Sequence, residues 1–129
     1  MSKAKYLVIL LVVLTITGCA SNTRGGGTLT EKNNASTMKM NIGDIVRVHL
    51  DGNPTTGYTW DKVAGNESII ARVGETKFEP TSKAIGSGGK VTMFFKAMGS
   101  GDTDLKLVYR RTWESAAPAK ELTYKINVR

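Results

Sequence analysis

The fold class this sequence predicts is an all-β sandwich of about seven to eight short antiparallel strands. Three observations predict it. From Met38 onward apolar and polar residues alternate with period two. Turn signals built from Gly, Pro, Asn, Asp and Ser recur between those runs. No segment sustains a helical period. Alternation of this kind marks strands with one face in a core and the other in water.

The first segments of the chain are expected to stand outside the sandwich. Lys3 and Lys5 precede an unbroken apolar run from Tyr6 to Leu14. That run is too short for a bilayer, which takes about 20 residues, and it predicts a cleaved export signal over residues 1–18. Cys19 follows Ile16-Thr17-Gly18, a placement that resembles the bacterial lipobox, whose cysteine is lipidated and becomes the mature N-terminus. Cys19 is the only cysteine, so no intramolecular disulfide is open to it. The plainer alternative is an unpaired or buried cysteine that happens to follow a signal. Residues 20–37, "ASNTRGGGTLTEKNNAST", carry one large apolar residue, Leu29. With Cys19 they are expected to form a flexible tether, 19–37, reaching roughly 25 Å. The chain would then be anchored to the bacterial envelope, facing the periplasm or the cell surface, with its folded domain at 38–129.

Within that domain "MKMNI" is expected to start the sheet. In "DIVRVHL" Val46, Val48 and Leu50 share one face against Arg47 and His49. "YTWDKV", "SIIARV" and "ETKFEP" are weaker strands, and Trp60 on the first of them is assigned to the core. In "VTMFFKA" Val91, Met93 and Phe95 alternate with Thr92, Phe94 and Lys96. "SGD" near 100–102 is a hairpin signal with Asp102 and Asp104 in or beside it. "DLKLVY" puts Leu105, Leu107 and Tyr109 on one side. "ELTYKINV" opposes Leu122, Tyr124, Ile126 and Val128 to Thr123, Lys125 and Asn127. Three connections stand apart from ordinary turns: "NPTTG" (53–57), "GSGG" (86–89) and "RRTWESAAPAK" (110–120).

Composition excludes most catalytic chemistry. Nucleophilic hydrolysis needs an activated Ser, Thr or Cys with a positioned base, usually His. The only histidine, His49, lies on a polar strand face. A zinc site needs several His or Cys ligands, which the chain lacks. "GSGGK" precedes a strand rather than a helix, so it is no phosphate loop. After removal of residues 1–18, sixteen Lys and Arg face eleven Asp and Glu, a formal charge of +5. The basic residues are spread over many segments, which predicts a solvated basic surface rather than a nucleic-acid site.

"NPTTGY" before a Trp-bearing strand, "GSGGK" before an aromatic strand and "YRRTW" before a last alternating strand together resemble the chagasin family. Its members are Ig-like inhibitors of papain-like cysteine proteases. The resemblance covers roughly Met38 to Arg129, with three signature loops in the family's order. One departure is visible: the family's third signature usually reads Arg-Pro-Trp, whereas Arg111-Thr112-Trp113 stands here. Loss of that proline is expected to loosen the loop and weaken binding, because ordering a mobile loop is entropically unfavourable.

The resemblance implies that Asn53, Pro54, Thr55, Thr56 and Gly57, with Tyr58 beside them, enter the protease's active-site cleft and cover its catalytic Cys-His pair. Gly86, Ser87, Gly88 and Gly89 would approach one flank closely through bare backbone, and Arg111, Thr112 and Trp113 the other. It implies a monomeric, reversible inhibitor with no catalytic residue, metal or cofactor of its own. The rival from another class is a surface adhesion or envelope-structural lipoprotein. The Thr55-Thr56 pair separates the two, since an adhesin has no reason to depend on it. A third and weaker reading, an esterase- or peptidase-like enzyme, lacks a second histidine or a free cysteine.

Overall fold

The computed structural model describes residues 27–129; the expected export signal, Cys19 and the first part of the expected tether lie outside the described residues. Eight strands make two four-stranded sheets. Sheet A has the order β1-β3-β6-β5, with β1 at Thr28–Leu29, β3 at Ile45–Gly52, β6 at Gly89–Ala97 and β5 at Ile70–Pro80. Sheet B has the order β2-β8-β7-β4, with β2 at Thr37–Met40, β8 at Lys120–Val128, β7 at Gly101–Arg110 and β4 at Thr59–Ala64.

The period-two alternation decides which side of each strand is buried. Val46, Val48 and Leu50 of β3 and Met93 and Phe95 of β6 meet Leu105, Leu107, Tyr124 and Ile126 of sheet B in one cluster. Each fully buried aliphatic or aromatic side chain contributes about 1.5–3 kcal/mol, so these central strands carry most of the stability. Trp60 is buried, as its place on the strand after the first loop predicted.

Four expectations need correction. Not every pairing is antiparallel: β1 runs parallel to β3, and β2 parallel to β8. The expected tether is partly folded. Leu29 is buried, and the Tyr124 hydroxyl donates to Thr30 O at 2.8 Å. A 3-10 turn at Glu31–Asn33 carries the chain across the sandwich edge from sheet A to sheet B. Among the described residues the folded unit therefore already includes Thr28 to Thr37, ahead of Met38, because one apolar residue in a polar stretch suffices when it caps an existing core. "SGD" is not a hairpin: β6 and β7 belong to different sheets, and Asp102 and Asp104 lie within β7. "SIIARV" and "ETKFEP" are one strand, β5, with an irregularity between Val73 and Lys77 where Gly74 has φ +70°.

Registers place the three singular loops together. Gly52 pairs with Gly89 at one end of sheet A, and Tyr109 with Lys120 at one end of sheet B. The β3–β4 link joins those two ends, since Thr59 pairs with Arg110. All three loops crown one pole.

Candidate functional site

The first loop is built by its own side chains. Pro54, with φ fixed near the helical value, opens a single 3-10 turn, Pro54–Thr56. Asn53 caps it, its Oδ1 accepting from Thr55 N–H at 3.2 Å and from the Thr55 hydroxyl. The Thr56 hydroxyl donates back to Asn53 O at 2.7 Å. Gly57 closes the turn at φ +81°, with its N–H bonded to Pro54 O at 3.0 Å. A side chain at this φ is strained. The two threonines that raise the functional question thus spend their hydroxyls within the loop, fixing its shape while their methyl groups stay at the exposed tip.

Both neighbouring loops are tied to it. Asn53 Nδ2 donates to Gly86 O at 3.0 Å, joining the first loop to the second. Arg111 Nε donates to Thr56 O at 2.9 Å, joining it to the third. The same guanidinium lies 4.7 Å from the Tyr58 ring centre, a cation–π contact. Tyr58 stacks on Tyr109 at 5.2 Å between centroids, and Tyr109 meets Trp60 at 5.0 Å. The Tyr109 hydroxyl accepts Asn53 N–H at 2.8 Å, so this aromatic column connects the loops to the core.

Trp113 packs across Gly57 so closely that a Cβ there would lie 2.4 Å from the indole ring. The tryptophan is nevertheless 69 % exposed. One edge locks the two loops and the rest of its surface is open to a partner. Thr112, standing where the family has proline, is exposed in a turn closed by Glu114 N–H to Arg111 O at 3.2 Å and an Arg111–Glu114 ion pair at 3.1 Å.

The second loop is held by Thr81, whose N–H and hydroxyl both donate to Gly88 O, and by the Ser87 hydroxyl on Ser82 O at 2.9 Å. Gly86 needs its left-handed φ of +80°. Gly89 has a different role from the one expected. It is buried in β6, where a Cβ would fall 2.1 Å from Glu79 O, so its missing side chain serves packing between β5 and β6 rather than approach to a partner. Sequence reasoning missed Ile85 beside it, the most exposed large apolar residue described at 106 %. The signal was present, an isoleucine with no alternating partner inside a Gly- and Ser-rich loop.

Among the described residues the site has an interlocked surface and no catalytic arrangement. His49 bonds Thr92 at 2.9 Å in mid-strand, away from the loops. Among the described residues no cluster of His, Cys, Asp or Glu could hold a metal ion. Asp51, at the base of the first loop, has its carboxyl held below the usual value by its hydrogen bond to Lys90, and it stays an anion there.

The family described as chagasin family peptidase inhibitor I42 matches residues 39–128. Amoebiasin-1 of Entamoeba histolytica is 34% identical over 102 residues, covering 78% of this chain and 97% of the relative. Chagasin of Trypanosoma cruzi is 32% identical over 90 residues, covering 66% of this chain and 81% of its own. A crystal structure of an Entamoeba histolytica cysteine protease inhibitor superposes with a TM-score of 0.70 at 30% identity, covering 80% of this chain and 95% of that one. With its sandwich, its three cross-linked loops and these likenesses, the chain belongs to the chagasin family of peptidase inhibitors and is not an enzyme.

Proposed function

We propose that the loop pole blocks papain-like cysteine proteases by wedging Asn53–Gly57 into the active-site cleft, with the Ile85–Gly88 and Arg111–Trp113 segments against its two rims. The chain is a reversible inhibitor of cysteine proteases; the wedge is our reading of how it inhibits. The observation that carries this reading is the pair of cross-loop bonds, Asn53 Nδ2 to Gly86 O and Arg111 Nε to Thr56 O. They order three loops before any partner arrives, and a pre-ordered surface loses less entropy on binding. Ile85 and Trp113 supply exposed apolar area at its two sides, and tryptophan and arginine are residue types enriched where binding energy concentrates.

The same geometry argues for resistance to cleavage. A protease attacks a peptide whose scissile carbonyl sits about 3–3.5 Å from the nucleophile in an aligned pose. Here the backbone folds into a 3-10 turn followed by a left-handed glycine, and Thr56 O already accepts from Arg111. An inhibitor shaped this way fills the cleft without presenting an extended substrate. We also propose that Cys19 is acylated and holds the inhibitor at the bacterial envelope, on the strength of the lipobox-like "ITGCA". The adhesion alternative rests on the sandwich alone, and family membership lends it no support.

The test is a titration of the chain into a papain-like protease with a small fluorogenic substrate. Saturable loss of activity is expected, weakened about two- to tenfold by Thr56→Ala, which removes one intraloop hydrogen bond of the ordinary 0.5–1.5 kcal/mol. Full protease activity at micromolar concentrations of the chain would overturn the reading.

A further inference from the structure

The outer faces of the two sheets arrange their charges differently. On sheet B, Asp61, Asp102, Asp104 and Glu121 interleave with the basic residues, as their registers require. On sheet A, Arg47 pairs with Phe94 across β3 and β6, Phe94 with Val73 of β5, and Ile45 with Lys96. The Arg47 guanidinium stands 6.0 Å and the Lys77 ammonium 5.8 Å from the Phe94 ring centre. The carboxylates of this face, Asp51 and Glu79, both sit near its loop end opposite Lys90, and Asp51 is ion-paired to it. Glu75 lies in the β5 irregularity between. Among the described residues Arg47, Lys77 and Lys96 enter no ion pair. Basic residues scattered in sequence are thus gathered by period two around one aromatic ring.

The chain reaches the fold beside this same face. β1 is the edge strand next to β3, with Thr28 opposite Arg47 and Arg47 N–H bonded to Gly27 O at 3.0 Å. Because β1 runs parallel to β3, which climbs toward the first loop, the chain arrives from the pole opposite the loops. That pole exposes Ile42 (56 %), Ile45 (41 %) and Met98 (50 %), adjacent through the Gly43–Ala97 and Asp44–Ala97 backbone bonds. Only residues 20–27 separate Cys19 from β1, a stretch that spans at most about 27–29 Å.

We propose that the outer face of sheet A, through Arg47, Lys77 and Lys96 around Phe94, docks on an anionic phospholipid surface, with Ile42, Ile45 and Met98 at its rim. Each basic residue held near such a surface strengthens binding about fivefold, so three supply about a hundredfold. The aliphatic side chains at the rim enter the headgroup boundary. From Ile45 to Gly52 the strand runs roughly 24 Å along this face, so the loop pole lies at the far end of the docked face from Ile42, Ile45 and Met98. The contact depends on this face alone and neither on acylation of Cys19 nor on the loops.

Co-sedimentation tests it, using the full chain with Cys19→Ser and phosphatidylcholine vesicles with or without phosphatidylglycerol. Binding should rise with phosphatidylglycerol and fall with salt. Arg47→Gln/Lys77→Gln/Lys96→Gln should lose the phosphatidylglycerol-dependent part by about a hundredfold. The control Lys39→Gln/Lys106→Gln/Lys125→Gln, which removes the same charge from sheet B, should keep it. Protease titration of both triple variants reports the fold and keeps a failed docking surface distinct from a failed inhibitor. Equal loss in both triples, no dependence on phosphatidylglycerol, or displacement of the bound chain by duplex DNA would each overturn the proposal.

Discussion

Trp113 packs over Gly57 with no room for a side chain there, and neither residue's partner could be read from the sequence. A methyl at Gly57 meets two penalties, a left-handed φ and an indole ring 2.4 Å away. A non-glycine residue held in that region costs about 1–3 kcal/mol. Gly57→Ala is therefore expected to weaken inhibition at least tenfold. In a Trp113→Ala background the same change should weaken it by a smaller factor, because the ring is gone. A double-mutant cycle on the inhibition constant measures the difference; equal factors in both backgrounds would remove the contact as the explanation. The motifs singled out these residues, and the structure adds contacts among them that the motifs did not foretell. Thr55, Thr56 and Arg111 were expected to face the protease, yet their polar atoms bind the loops to one another. Gly89 was assigned to the surface and serves the core. Such pairings join residues as far apart as Thr56 and Arg111, and local pattern carries no record of them.

At the scale of elements, alternation identified the central strands and their buried faces, since burial of one face imposes period two on residues such as Leu122, Tyr124, Ile126 and Val128. It failed at β1, which is two residues long and offers no period to detect. Leu29 carries that element: its side chain is 2 % exposed and closes the sandwich edge between the sheets. Leu29→Ala should cost about 2–5 kcal/mol, lowering Tm by about 10 °C or more for a domain of this size. A chain lacking residues 20–37 should melt below one lacking 20–26 by more than Leu29→Ala lowers Tm. Identical melting of both truncations would return residues 28–37 to the status of a tether.

For the whole molecule, Tyr124 links the first residues of the fold to the core and gives stability an alkaline limit. Burial, with the nearby Glu31 carboxylate as a lesser cause, pushes its phenol up to about 12 from 10.0. The folded state therefore holds this proton more tightly than the unfolded chain. The contribution is complete below about pH 10 and is lost as pH rises toward 12. Tyr124→Phe should be less stable at neutral pH by about 0.5–1.5 kcal/mol, because the hydrogen bond to Thr30 O is gone. Its Tm should then fall less steeply between pH 10 and 12; an unchanged slope would show that another group sets the limit. Two sheets and one edge-closing turn hold three cross-linked loops at one pole, and the proposed function makes that pole the blocking surface. Shielding of a protease's catalytic thiol tests that claim most directly. With the chain in saturating excess over a papain-like protease, alkylation of the active-site cysteine by iodoacetamide should slow in proportion to the fraction bound. After dissociation, activity should return and the chain should be recovered uncut. Alkylation at the rate of the free enzyme while hydrolysis is blocked, or recovery of a chain cleaved between Asn53 and Gly57, would contradict the account.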